Sequence, residues 1–366
     1  MQAQLRHSIA QVTKTGWILD CDTNVKVLYG HQDGAVVSYN PQKPGRPSHI
    51  IHTYWIGNLR LVLDAQLQAD NRHSPSYGRT GLKALSKSLP ADERPKLVRG
   101  DSAYGSEGEM LQLEELQQPY LFKLRQTVGV KQLIKHQWTR QTWSEMGQGW
   151  QGCEDELRLS GWSRKRRVIV MRRQRKIDLV LERKGDAKGK DKGKNAQVEL
   201  HFIDENEPVK SWEYAVLVSN AAYGLAQIGQ LYRDRADCVD LGFCQNGFDE
   251  IKNQWGWGGY STQDIDRCAL SAKAVALVYN WWSWYVRLAN PKSRLEAKTS
   301  RPKLPSGLGK LTSHARVNKI VLELTHEVTT HIKNMLANVR AGIEHIRGAA
   351  PQLARIFHHS KSAVPP

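Results

Sequence analysis

The order of strand-like and helix-like segments in the first third of the chain restricts the fold more than any other feature. WILDCDTNVKVLYG (17–30), GAVVSYN (34–40) and LRLVLDAQLQ (59–68) are rich in β-branched and aromatic residues, with turn or loop residues between them. They predict three strands in an antiparallel meander, with NPQKPGRPSH as a Pro/Gly/basic loop. After Asn71 the pattern changes. GLKALSKSL reads as a short helix, PKLVRGD (95–101) as a short buried strand, SEGEMLQLEELQ as a Glu-rich helix and YLFKLR (120–125) as another strand. Strands that give way to alternating helix and strand belong to a mixed α/β sheet.

Between about 128 and 216 the segments TRQTW, DELRLSGW, RKRRVIVMRRQR, IDLVLER, VELHFID and EYAVLVS are strand-like, with little helix, and suggest a β-rich insertion or second domain. In RKRRVIVMRRQR an apolar core is fenced by arginines, which fits either a strand that meets an anion or an edge strand protected by charge. From AQIGQLYRDRADC onward the periodicity is helical. A strongly apolar helix is expected at Ile265–Leu288, a Pro/Gly/basic linker at 298–310 and a last amphipathic helix near Thr325–Arg347. No internal repeat is visible.

The charge needs an explanation, because 53 Lys+Arg against 36 Asp+Glu leave the chain at +17. Self-repulsion on that scale favours a chain with an anionic partner, nucleic acid first among them. Residues 164–194 hold 14 basic and 4 acidic residues, although GDAKGKDKGKN within them looks like a solvated loop. The longest apolar run, AVALVYNWWSWYV, falls short of the ~20 residues that span a bilayer. The N-terminus has no apolar core of a secretory signal, so the cytoplasm is the expected location. Five scattered cysteines without C-x-x-C spacing predict reduced thiols rather than disulfides or a zinc site. His31, His49 and His52 are expected at the surface or in hydrogen bonds rather than on a metal.

Acids at strand ends carry the chemistry. In LDCDTN, Asp20 and Asp22 lie two apart and share one strand face, and in LVRGDSAYG, Asp101 follows a short apolar strand and Gly100. Two such carboxylates plus an acid from a helix form an oxygen-donor set for Mg²⁺, which phosphodiester hydrolysis uses. Each alone is ordinary, since Asp is common at turns and caps.

The downstream segment YRDRADCVDLGFCQNGFDEIKNQWGWGG (232–259) resembles the Y-(2)-R-(3)-E-(6)-K signature of DDE transposases of bacterial insertion sequences, the cut-and-paste group, with Tyr232, Arg235 and Lys252 in place. LDCDTN, LYGHQDGAVVSYNPQKPGRPSH, LVRGDSAYG, PYLFKL, GQGWQG and FDEIKNQWGWGGYSTQD extend the resemblance from about Trp17 to Arg301. It implies an α/β, RNase H-like mixed sheet in two parts, 1–127 and 217–297, a β-rich insertion at 128–216, and a linker with a helical tail at 298–366. It implies Asp22 as first catalytic acid, Asp101 as second and Asp20 as a supporting neighbour, around two Mg²⁺ for which Mn²⁺ can substitute. The partners implied are transposon terminal repeats and target DNA, with two copies of the chain synapsing the ends. Tyr232, Arg235 and Lys252 would contact the DNA backbone. Trp255 and Trp257 would either stack on an unstacked base or pack in the core.

The chain departs from the family pattern at the third acid. Counting back from Lys252 by the E-(6)-K spacing lands on Gln245, with VDLGFC (239–244) as a six-residue insertion. Gln245 can offer a carbonyl oxygen to a cation but brings no charge; Asp237, Asp240, Asp249 and Glu250 are the nearby acids considered as substitutes. Only sixteen residues precede Trp17, where the family carries a DNA-binding region. These departures leave two readings, an active metal-dependent transposase and a catalytically impaired remnant that still binds DNA or an intact copy. A nuclease of RNase H-like fold without transposition is a third.

Overall fold

The computed structural model describes residues 1–14, 16–37, 43–69, 74–140, 143–176, 210–236, 245–257, 259–291, 295–303, 310–314, 317–321 and 326–349. Along the chain run α1 (Gln2–His7), α2 (Ala10–Thr13), β1 (Ile18–Val27), β2 (Val36–Val37), β3 (Pro47–Ile56), β4 (Leu61–Ala69), α3 (Ser74–Ser88) and β5 (Leu97–Gly100). Then come α4 (Glu107–Glu115), β6 (Tyr120–Lys123), α5 (Val128–Arg140), β7 (Ser144–Gly147), β8 (Trp150–Leu157), β9 (Arg166–Lys176), β10 (Lys210–Ser219) and α6 (Leu225–Ala236). The remainder holds α7 (Gln245–Gln254), α8 (Ile265–Ala289), α9 (Ala297–Lys303), the hairpin β11 (Lys310–His314) and β12 (Val317–Val321), and α10 (His326–Ala349). The fold is mixed α/β, as the order of segments predicts. It divides into two compact units, Met1–Val98 with Arg235–Pro366, and Arg99–Asp234.

In the first unit, β3 pairs antiparallel with β1, β2 and β4. The register sets Asp20 opposite Trp55, Asp22 opposite Thr53 and Asn24 opposite Ile51, so these six share one face. That face is the buried one for Ile51, Trp55, Val62, Ala65 and Leu67, which pack against Ile251 of α7 and Cys268, Ala272, Ala276 and Tyr279 of α8. Small residues on α8 let it lie close to the sheet, and Trp55 meets Tyr279 edge-on at 5.7 Å. A bulge in β4 shifts the register between Tyr54 and Trp55. There the buried amide of Asn280 accepts from the Val62 N–H and donates to the Val62 carbonyl, both at 2.8 Å.

The meander of three strands is thus incomplete. The segment 47–56 is a ten-residue strand beginning inside the expected loop, and GAVVSYN contributes only Val36–Val37 among the described residues. β3 escapes the alternation test because nine of its ten residues are buried, so both faces are covered and its only punctuation, Pro47, opens it. The expected linker at 298–310 begins as helix α9 and ends in β11. Tertiary contacts explain the helix: the buried Glu250 carboxylate accepts from the Ala297 N–H at 2.9 Å and Gln254 accepts from the Lys298 N–H at 2.6 Å, which caps α9 from α7.

In the second unit the strand order is β6-β10-β9-β8-β7. β7 and β8 form a hairpin whose two-residue turn, Gln148–Gly149, has φ of 53° and 74°, the mirror-image turn that suits twisted strands. That conformation accounts for GQGW. The expectation of little helix after 128 fails at α5, where Val130, Leu133 and Gln137 are buried at helical spacing. Its two valines and glycine had masked that period. IDLVLER and VELHFID lie outside the described residues.

β9 lies between β8 and β10, so its arginines do not protect an edge. Arg166, Arg167, Arg172 and Arg173 are engaged inside the unit instead. Arg166 pairs with Glu107 at 2.5 Å and Glu114 at 2.8 Å, and Arg167 with Glu154 at 2.6 Å. Arg172 lies between the rings of Trp143 and Trp212, at 4.0 and 4.2 Å, and Arg173 pairs with Glu213 while stacking on Trp150.

Candidate functional site

β1 presents a polar line on the sheet face that α7 covers. Asp20, Asp22, Asn24 and Lys26 alternate along it, Asp20 fully buried and Asp22 about a quarter exposed. The Asp22 carboxylate accepts from the Thr23 N–H at 2.8 Å. Arg235 anchors beside it, its Nη2 donating to the Cys21 carbonyl at 3.1 Å and standing 3.9 Å from Asp22 Oδ1. One guanidinium thereby reads both the backbone and the acid of β1.

Gln245 heads α7, and Gly247 is seated where a Cβ would come within 2.9 Å of the Trp55 ring. Only glycine permits that approach. Since Trp55 shares the face of Asp20 and Asp22, the first turn of α7 lies over the same face as the first acid. One turn further, Lys252 lines a cavity of about 250 Å³ with Asn24, Lys26, Tyr29, Lys43 and Trp257. Lys26 was missed in the sequence, although its i, i+4 relation to Asp22 on one strand face was available. Its ammonium sits 3.3 Å from the Tyr260 ring centroid, and burial pushes its pKa down to about 8.

Trp257 is buried, its indole N–H donating to the Ala272 carbonyl at 3.2 Å. Trp255 packs on Tyr279 and Trp282 with Arg301 over its ring at 3.8 Å. Core packing is therefore the role of Trp257, and a partly buried aromatic cluster that of Trp255. Glu250 is 1% exposed and occupied in capping α9. Asp237, Asp240 and the insertion 239–244 lie outside the described residues. His49 and His52 are buried and hydrogen-bonded, His49 Nε2 to the Asp33 carbonyl at 2.8 Å and His52 Nδ1 to Thr23 at 3.3 Å. Cys21, Cys153 and Cys268 are buried and form no disulfide among the described residues.

In the second unit, Asp101 directly follows β5 and forms a turn, its carboxylate accepting from the Ala103 N–H at 2.9 Å and its carbonyl from the Tyr104 N–H at 3.1 Å. A Cβ at Gly100 would meet Tyr104 at 2.7 Å, which is why glycine precedes the acid. Six residues after Asp101, α4 begins, and the Arg166 network holds it down through Glu107 and Glu114. Tyr232 on α6 meets Trp150 of GQGW edge-on at 6.5 Å.

Asp22, Asp101 and Gln245 offer oxygen donors only, the chemistry that suits Mg²⁺. Among the described residues, no group of three His, Cys, Asp or Glu side chains could hold a metal ion. No described helix is long and apolar enough to cross a membrane.

A family model described as Transposase DDE domain matches residues 23–360. No curated protein matches the chain. Among solved structures, the cryo-EM structure of a piggyBac transposase synaptic complex with hairpin DNA is similar at a TM-score of 0.42 and 12% identity. The match covers 96% of this chain and 58% of that one, so the chain spans little more than half of its structural relative. With the family model covering nearly its whole length, the chain belongs to the transposase DDE domain family.

Proposed function

We propose that the protein is a metal-dependent transposase of a bacterial insertion sequence, acting in the cytoplasm on DNA through an RNase H-like catalytic core. The observation that carries this beyond family membership lies in the first unit. The helix headed by Gln245 is seated on the face of β1 and β3 that bears Asp22, with Arg235 3.9 Å from that carboxylate. Asp22, Asp101 and the Gln245 carbonyl oxygen are the proposed ligands of Mg²⁺, or of Mn²⁺ in its place. Bound there, two such ions supply an activated attacking oxygen and a stabilised leaving oxygen. Asp22 and Asp101 contribute both negative charges of the set, because Gln245 contributes none. Arg235 and Lys252 offer cationic hydrogen-bond donors to the DNA backbone, and Tyr232 a further contact. The basic pocket of Lys26, Lys43 and Lys252 extends that surface along β1. The proposed substrates are the terminal repeats of the element and then target DNA, with a homodimer synapsing the two ends. Residues 1–127 and 217–297 form the core in this proposal, 128–216 its insertion and 298–366 the linker and tail.

The test is strand cleavage of DNA carrying the terminal repeats, with Mn²⁺, for the native chain, Gln245→Glu and Asp101→Asn. Cleavage that rises with Gln245→Glu and vanishes with Asp101→Asn supports the ligand set. Undiminished cleavage by Asp101→Asn refutes it.

A second reading, an impaired copy that binds DNA or an intact transposase without cutting, is favoured by two residues. Gln245 lacks the charge of the family's glutamate, and Glu250, one of the nearby acids on α7, is buried against α9. DNA binding with no cleavage by the native chain, restored by Gln245→Glu, would select this reading.

A further inference from the structure

Arg166, Arg167, Arg172 and Arg173 of β9 are engaged within the second unit. A further concentration of positive charge lies on α5 and β6. A groove of about 1060 Å³ between α5 and β10 is lined by Lys123, Lys131, Lys135, Trp138, Trp212 and Tyr214, among others. Lys131, Lys135 and Trp138 fall at i, i+4 and i+7 of α5 and therefore on one helix face. The two lysines are exposed and Trp138 is 58% exposed, an unusual state for so large an apolar ring. None of the three lysines is ion-paired among the described residues, and the one acid in the lining, Glu213, is neutralised by Arg173 at 2.8 Å. On the opposite wall Trp212 and Tyr214 alternate along β10 and present their rings to the same groove. The Tyr214 hydroxyl is buried without a hydrogen-bond partner among the described residues.

Cationic side chains interleaved with aromatic rings along an open groove are what binds single-stranded nucleic acid. The ammonium groups track phosphates, and the rings stack on bases without regard to sequence. Duplex DNA presents no free base faces, so Trp138 would be wasted on it. We propose that this groove is a binding site for an unpaired segment of DNA, with a base stacked on Trp138 and the adjoining phosphates on Lys131, Lys135 and Lys123. The choice of DNA rests on the transposase reading; the class of ligand, an unpaired polynucleotide, rests on the groove itself.

The experiment is fluorescence anisotropy of labelled oligo-dT, oligo-rU and a duplex of equal length with the full chain, without divalent ions so that no strand is cut. Trp138→Ala should weaken oligo-dT binding about tenfold, a mid-range loss for one base stack, while Trp138→Phe stays within about threefold of native. Both should leave duplex binding unchanged. Lys131→Gln with Lys135→Gln should reduce the slope of log affinity against log salt by about 1.4 for oligo-dT. All four changes fall on exposed positions, and unchanged melting temperatures check that the fold persists. Undiminished oligo-dT binding by Trp138→Ala, or an equal loss on the duplex, overturns the stacking site. Tighter binding of oligo-rU than of oligo-dT overturns the assignment to DNA. Cleavage is never measured here, so a chain that cannot cut can still pass, and one that cuts can fail.

Discussion

Replacing Arg166 by Met should release α4, and with it the turn that carries Asp101. The Arg166 guanidinium is 4% exposed and gives Nε to Glu114 Oε1 at 2.8 Å, Nη2 to Glu114 Oε2 at 3.0 Å and Nη1 to Glu107 Oε2 at 2.5 Å. Removing one partner of a buried, hydrogen-bonded pair costs about 3–5 kcal/mol, since the carboxylates stay behind uncompensated. Glu107 and Glu114 are 20% and 11% exposed, which favours the lower end, about 3 kcal/mol. The titration of Glu114 reflects the wider set of donors to which Arg166 belongs. Burial alone would raise its carboxyl, but hydrogen bonds from Arg166, Arg164 and Tyr120 outweigh burial and hold it down to about 2 from 4.5. At 1.36 kcal/mol per unit that is about 3 kcal/mol, reduced to about 2 by screening through the exposed Arg164. The two values overlap in Arg166 and are not added.

The direction with pH follows from the depressed carboxyl. The stabilisation is complete above pH 4.5, where Glu114 is ionised in both the folded and unfolded chain, and it is lost as pH falls toward 2. Hydrogen exchange of α4 and β6 amides, at pH 7 and pH 3.5, reads the local stability. Arg166→Met should speed exchange there by about 30- to 150-fold at pH 7 and by distinctly less at pH 3.5. A change below about threefold at pH 7, or an equal change at both pH values, would refute the reasoning.

Three further outcomes are expected. Gly247→Ala should push α7 off Trp55, destabilising the chain by about 1–3 kcal/mol in thermal melts and abolishing any cleavage; an unshifted melting temperature would show that the ring simply yields. Asn280→Ala leaves both polar groups of Val62 without their buried partner and should cost about 2–4 kcal/mol by denaturant titration, whereas a loss under 1 kcal/mol would mean that water replaces the amide. His52 is lowered to about 4 by burial, so the folded chain resists its protonation: stability is full above pH 6.5 and falls by up to about 3 kcal/mol as pH drops toward 4. His52→Asn should flatten that limb of the pH profile, and an unchanged limb would place the titrating group elsewhere.

The sequence disclosed the elements whose signals are local. β1 alternates, Asp101 follows a glycine that a side chain would crowd out, and α8 has helical apolar spacing over its whole length. It hid the elements whose cause is tertiary. β3 is buried on both faces, which removes the period that marks a half-exposed strand. α9 exists where Glu250 and Gln254 cap it, and no residue within KTSRPK announces that. The arginines of β9 show the same limit for function. Their clustering signalled an anion, yet the anions they meet are Glu107, Glu114, Glu154 and Glu213 of their own unit. Asp22, Arg235 and Lys252 were legible as a motif, but Lys26 became visible only once β1 had a face.

The bond pattern of Asn280 has a consequence for assembly. Among the described residues β4 is paired on one side only, to β3, and a strand edge is where a second molecule most readily adds its own backbone. At Val62 the side-chain amide of α8 offers one acceptor and one donor in the positions a neighbouring strand would use. At Val62 the helix thus occupies the sheet border in the manner of a false strand, so that a second molecule cannot add its own backbone at this position.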